Sequence, residues 1–252
     1  MDVAALNISI ELIPRDTAHL EAELELVHTG YAAINAINIP DLLRLSMRSW
    51  EGAAQASRRF GTCIPHIRAI DFNLKQDFGL LDVLDERGIN QVLVVTGDPP
   101  QDMNRSVYPT TSVELIRKLK QARPAMKVYG AIDPYRDNFR GEYDYIQRKL
   151  DAGADGFFTQ PFFDLRLMEV YHELMDGQEI YWGVSPVTSE RSRNYWETKN
   201  NAVFPASFEP SLDWNVRFAR RVLDYGETTG TNVYLMPIRV DLKAYLDGIF
   251  ST

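Results

Sequence analysis

Eight short apolar runs, separated by longer amphipathic stretches, constrain this chain more than any other feature. They read "NISIELI" (7–13), "AAINAINI" (32–39), "TCIPHIRAI" (62–70), "QVLVVTG" (91–97), "KVYGAI" (127–132), "GFFTQP" (156–161), "IYWGVSP" (180–186) and "NVYLMPI" (232–238). Their shortness and their β-branched and aromatic content mark them as strands. Between most of them the spacing turns helical. In "SVELIRKLKQA" Val113, Leu115, Ile116 and Leu119 share one side. "EYDYIQRKLDAGAD" reaches Gly153, a residue that stops a helix before the next strand. Strand–helix alternation implies parallel strands with helical crossovers, hence an α/β fold. Eight such units in 252 residues predict a closed (β/α)8 TIM barrel, one domain over residues 1–252. An open doubly wound sheet is the competitor, weakened because no G-x-G-x-x-G follows the first strand. The irregular segment 187–212 reads as a helix and a long connection inside the domain.

Composition narrows the function classes. Hydrophobic residues make up 45% and charged residues 25%, the balance of an ordinary globular chain. A net charge of −8 argues against a nucleic-acid partner, which calls for a basic face. No stretch approaches the ~18 consecutive apolar residues of a membrane span. The opening "MDVAALNISIELIPRD" lacks the basic and apolar regions of a secretion signal. Cys63 is the only cysteine, and His19, His28, His66 and His172 have no metal-ligand spacing. These features predict a cytoplasmic protein that acts on a small molecule without a bound metal.

In a barrel of this kind the active site gathers at the carboxyl ends of the strands. Those ends supply Glu11, Asn35 or Asn38, His66, Asp98, Asp133, Gln160 and Ser185. Glu11 stands out, because alternation in "ISIELIP" turns Ile8, Ile10 and Leu12 to one side and Ser9, Glu11 and Ile13 to the other. A buried carboxylate costs several kcal/mol unless it is paired or protonated. A protonated one can serve as a general acid. A strand-end carboxylate bonded to neighbouring backbone or arginine explains the residue equally well. Asp98 likewise fits either a site or a turn in which Gly-Asp-Pro-Pro caps the strand. Gln160 ends an apolar strand ahead of Pro161, where its amide needs partners that a heteroaromatic ligand can provide. A lone histidine such as His66 is more often a satisfied core residue, and a pair such as Phe162–Phe163 more often core than a ligand platform.

Taken together, "KLDAGADGFFTQPFFD" (149–164), "VVTGDPP" (94–100), "SIELIPR" (9–15) and "YPTTSVELI" (108–116) resemble the methylenetetrahydrofolate reductase family. Their counterparts there are "DAGA…TQ.FFD", "LRGDPP", "SFEFFPP" and the tyrosine before the fourth helix. The order and separations agree over roughly residues 5–185. The resemblance implies an eight-stranded barrel that binds FAD and reduces 5,10-methylenetetrahydrofolate to 5-methyltetrahydrofolate with NADH or NADPH, often as a homo-oligomer. Glu11 matches the glutamate that supplies the proton opening the methylene bridge. Asp98 matches the aspartate between pterin and flavin, Gln160 the glutamine that bonds the pterin, and Phe162 is a further candidate substrate contact. His66, Thr96, Gly97, Asp98, Tyr108, Ala131, Tyr135, Glu142 and Lys149 fall at or beside FAD-binding positions.

The chain also departs from the family pattern. Thr96 replaces a cofactor-contacting arginine, and Glu142 replaces an aspartate. "AIDPYRD" (131–137) stands for "YPE.HP", "INIPDLLRLSMRSWEGA" (37–53) for the "VTYG" loop, and "LMPIRVD" for "TLNR". Losing a guanidinium removes a bidentate contact to a diphosphate. The leading reading is a flavin-dependent reductase; the alternatives are a reductase that does without tightly bound FAD and a non-redox folate-binding protein serving a methyltransferase. A phosphate-binding sugar aldolase is disfavoured, since no lysine lies at an expected strand end.

Overall fold

A computed structural model describes residues 6–76, 78–100 and 105–251. The strands Ile8–Glu11 (β1), Ile34–Ile39 (β2), Thr62–Arg68 (β3), Gln91–Val95 (β4), Lys127–Ile132 (β5), Gly156–Pro161 (β6), Ile180–Val184 (β7) and Asn232–Leu235 (β8) form a closed parallel barrel in chain order. β8 pairs back onto β1 through Ile8–Val233 and Ile10–Leu235. The helices are Thr17–Gly30 (α1), Ser49–Ala56 (α2), Leu80–Glu86 (α3), Ser112–Ala122 (α4), Phe139–Asp151 (α5), Leu165–Leu174 (α6), Glu190–Asn200 (α7), Leu212–Thr229 (α8) and Leu242–Phe250 (α9). No helix among the described residues is long and apolar enough to cross a membrane. The (β/α)8 expectation holds. Segments 127–132 and 156–161 keep their bounds, and several others stop short where the chain turns into the upper loops. Helix α4 occupies the expected residues because Thr111 and Glu114 cap it reciprocally. Gly153, at φ +100°, ends the α5 region in a conformation that favours glycine.

Alternation along each strand sorts side chains into two cores. Ile8, Ile10, Ile37, Ile67, Val92, Val94, Phe157 and Trp182 face outward and pack under the helices. Ile64, Leu93, Tyr129, Phe158, Tyr181, Tyr234 and Met236 fill the barrel itself. Phe158 and Tyr181 stack there with ring centroids 4.1 Å apart. At the amino ends of the strands Glu179 accepts from Lys127 at 2.7 Å and from the Tyr129 hydroxyl at 3.0 Å, closing that side.

One irregularity shapes the upper rim. Pairing between β6 and β7 shifts between Phe158 and Pro161. The Gly183 N–H donates to Thr159 Oγ1 at 2.8 Å, and its carbonyl accepts from the Phe162 N–H at 2.9 Å. That close approach leaves no room for a side chain: a Cβ on Gly183 would run into the Thr159 carbonyl and the Gln160 backbone. Gly183→Ala should therefore destabilise the chain by about 2–3 kcal/mol, as overpacking against backbone does. Chemical denaturation checks this, and an unchanged midpoint would mean that the rim is free to shift.

Candidate active site

A cavity of about 500 Å³ opens at the carboxyl ends of the strands. Its interior wall is apolar and aromatic, with Leu93, Phe158, Tyr234, Met236 and Ile238. Glu11, the last residue of β1, enters this wall and is only 9% exposed. Tyr234 of β8 donates its hydroxyl to Glu11 Oε2, and His66 Nε2 of β3 lies 4.0 Å from the same oxygen. Asn38 sits opposite Glu11 in the β1–β2 register and donates to Ser9 Oγ at 2.9 Å. Burial pushes the Glu11 carboxyl up to about 7, against the downward pull of the Tyr234 hydrogen bond. Burial also pushes His66 down to about 3, so its ring stays neutral. The result is a carboxyl group that holds its proton near neutral pH with no cationic partner beside it.

The polar rim is built from ion networks. Arg68, at the end of β3, donates through Nε to Asp71 at 3.2 Å and through Nη2 to the Asp98 carbonyl at 2.5 Å. Arg48 donates to Asp41 at 2.6 Å and to Asp71 at 3.1 Å. Ser49, which begins α2, donates its hydroxyl to the His66 carbonyl at 2.6 Å. These bonds tie the loop after β2 to the top of β3. Gly97 has φ +86°, and a Cβ there would lie 3.0–3.1 Å from the Arg68 side chain. The Gly-Asp-Pro-Pro turn is thus seated on a guanidinium.

On the opposite rim Lys149 of α5 reaches in, donates to the Ala131 carbonyl and lies 4.0 Å from the Tyr145 ring centroid. Burial pushes its ammonium down to about 7, although Glu142 works against that. Glu142 is buried, with one oxygen accepting from the Asp133 N–H at 3.1 Å and the other from Arg136.

Of the residues singled out from sequence, Glu11, His66, Thr96, Gly97, Asp98, Ala131, Lys149 and Gln160 line the one cavity. Four others do not. Phe162 turns outward between sheet and helices, edge-on to Tyr171 and Trp182 at 5.5 Å. Tyr135 joins Phe163, Val187 and Trp196 in an apolar cluster. Tyr108 donates its N–H to the Ile70 carbonyl at 2.8 Å, and Glu142 sits behind Arg136. Asn35 lies at the other end of the barrel, where it accepts from the Ile8 N–H at 3.2 Å. Sequence reasoning missed Tyr234 and Arg68. Strand alternation carried a signal for both: Tyr234 is in phase with Met236, and Arg68 with Ile64 and His66, all facing the interior.

The family model described as methylenetetrahydrofolate reductase matches residues 46–217. The chain is similar to the 5,10-methylenetetrahydrofolate reductase of Pectobacterium carotovorum subsp. carotovorum, 26% identical over 149 residues that cover 56% of this chain and 49% of that one. It is 25% identical over 230 residues to that of Escherichia coli (strain K12), covering 82% of this chain and 74% of that one. The chain spans about half the length of the Pectobacterium and Buchnera relatives it matches. Among solved structures, an uncharacterized protein from Clostridium thermocellum that binds two copies of 5-methyl-5,6,7,8-tetrahydrofolic acid superposes with TM-score 0.60 at 12% identity, covering 98% of this chain and 94% of that one. A 2,3-dimethylmalate lyase superposes with TM-score 0.59 at 10% identity, covering 98% and 80%. At such identities these two establish the barrel alone.

The Glu11 carboxyl makes stability depend on pH. Between its ordinary value of 4.5 and about 7 the folded chain holds a proton that the unfolded chain releases. Stability therefore falls as pH rises through that window. Glu11→Gln keeps an acceptor for Tyr234 and removes the charge. It should raise stability by about 2–3 kcal/mol at pH 8 relative to its effect at pH 4. Denaturant unfolding at the two pH values measures the difference, and equal effects would show that no charge burden sits at Glu11.

Proposed function

Because the chain belongs to the methylenetetrahydrofolate reductase family, we propose that it reduces 5,10-methylenetetrahydrofolate to 5-methyltetrahydrofolate with NADH or NADPH as the hydride source. The observation that carries this reading is the Glu11 carboxyl, kept protonated near neutral pH in the aromatic wall of the cavity. The methylene carbon bridges two nitrogens of the substrate. Glu11 protonates the nitrogen that leaves, the carbon–nitrogen bond breaks, and the electrophilic iminium remains on the other nitrogen. Hydride then forms the new carbon–hydrogen bond of the methyl group. An acid with a value of about 7 suits that task at neutral pH. Gln160 supplies a donor and an acceptor for the pterin edge, and Phe158, Tyr234 and Met236 supply apolar surface for its ring. Asp98, held by the Arg68-bonded turn, faces the same space.

FAD, the cofactor generally associated with this family, supplies hydride relay when bound. The residues at the corresponding positions do not fit it as a resident group. Thr96 offers a hydroxyl in place of a guanidinium. Three carboxylates line the cavity besides the protonated Glu11, namely Asp41, Asp98 and Asp133, beside the three basic side chains Arg68, Arg136 and Lys149. Arg68 is committed to Asp71 and the Asp98 carbonyl, Arg136 to Glu142, and Lys149 to the Ala131 carbonyl. A diphosphate would have to displace these bonds. A nicotinamide dinucleotide, which binds only for a turnover, needs its ring in the cavity and can leave its diphosphate in solvent. On this reading hydride passes from the nicotinamide directly to the iminium carbon, leaving NAD(P)+.

The test combines two preparations. The purified chain should stay colourless after incubation with FAD and removal of the excess, yet form 5-methyltetrahydrofolate from NADH or NADPH. Glu11→Gln should bind folate with unchanged affinity and lose about 10²–10⁴-fold in turnover. Stoichiometric flavin on the protein would reverse the direct route. Turnover within about 10-fold of wild type in the variant would remove Glu11 as the donor. Folate binding with no nicotinamide oxidation in the wild type would leave only a binding protein.

A further inference from the structure

Among the described residues, Tyr234 alone touches both polar groups of the aromatic wall. Its hydroxyl meets Glu11 Oε2 and lies 3.5 Å from His66 Nε2. Its ring is fixed edge-on to Phe158 at 5.2 Å and to His66 at 6.5 Å. A phenol has one proton to give and must choose between the two acceptors. We propose that the Tyr234 hydroxyl changes acceptor with the Glu11 proton: it donates to His66 Nε2 while Glu11 is protonated and to Glu11 once that proton has gone to the substrate.

The driving force is relative acceptor strength. A neutral imidazole nitrogen accepts more strongly than the carbonyl of a carboxylic acid, whereas a carboxylate accepts more strongly than either. His66 is kept neutral by burial, so its nitrogen remains available. No competing cation intervenes: among the described residues no lysine or arginine forms an ion pair with Glu11. On the neighbouring strand Asn38 is uncharged, and its Nδ2 is occupied by Ser9. The step conserves protons, because Tyr234 keeps its own and only turns. Its effect is to stabilise the carboxylate product of proton transfer with a donor already in place, so Tyr234 is a positioning residue. The inference rests on the proposed reductase reading for the identity of the proton acceptor.

The test follows the His66 ring nitrogens by ¹⁵N NMR in the wild-type chain. Nε2 should move from its hydrogen-bonded position with a midpoint near 7 as Glu11 ionises, while the ring stays neutral. In Tyr234→Phe that movement should vanish, the alkaline limb of kcat should shift up by about one pH unit, and kcat should fall roughly 10-fold with KM within about 2-fold. A His66 resonance that stays flat across the Glu11 titration in the wild type overturns the switch, whether or not the variant folds. An unchanged kcat limb in a folded Tyr234→Phe does the same. If His66 responds as expected but the wild type makes no 5-methyltetrahydrofolate, the switch stands and the reductase reading fails.

Discussion

Keeping a carboxyl group inside a parallel barrel is the constraint on which the rest of this site depends. A desolvated carboxylate is destabilised by several kcal/mol unless something compensates. Many proteins compensate with an arginine or lysine, which fixes the group as an anion. Here the partners of Glu11 are a phenol and a neutral imidazole. The phenol gives the group a hydrogen bond, the uncharged imidazole stands 4.0 Å away, neither supplies a counter-charge, and the proton stays on. An acid that survives at neutral pH is thereby built from the geometry of three strands, β1, β3 and β8.

The same economy of charge runs around the rim. Each guanidinium that reaches the cavity is already engaged, Arg68 with Asp71 and the Asp98 carbonyl, Arg136 with Glu142. These bonds make the loops after β3, β4 and β5 firm. They also leave little free positive charge for an anionic cofactor. Arg68 beneath Gly97 supports the turn from the neighbouring strand. The wall that remains is aromatic and, with Glu11 protonated, uncharged, which favours flat heteroaromatic rings.

How much of this was legible in the sequence depended on range. The eight strands were, because alternation and turn residues are local signals, and α4 was placed by the helical spacing of Val113, Leu115, Ile116 and Leu119. Glu11 was legible as an anomaly, a carboxylate in phase with the barrel interior. Its partners were not, since Tyr234 is separated from it by 223 positions and only barrel closure joins β8 to β1. The Arg48–Asp71–Arg68 chain is likewise a product of three-dimensional neighbourhood. Phe162 shows the converse: it follows the residue that lines the cavity by two positions, yet the irregular end of β6 turns it into the outer core. A motif identifies the segment, but the backbone decides which of its side chains reach the site.

The most direct measurement is a titration of the Glu11 carboxyl itself, followed by ¹³C NMR in chain labelled at glutamate side chains and assigned by Glu11→Gln. The account predicts a midpoint near 7, far above the ordinary 4.5. A midpoint at the ordinary value would mean that Glu11 is an anion at neutral pH and cannot be the proton donor proposed for it.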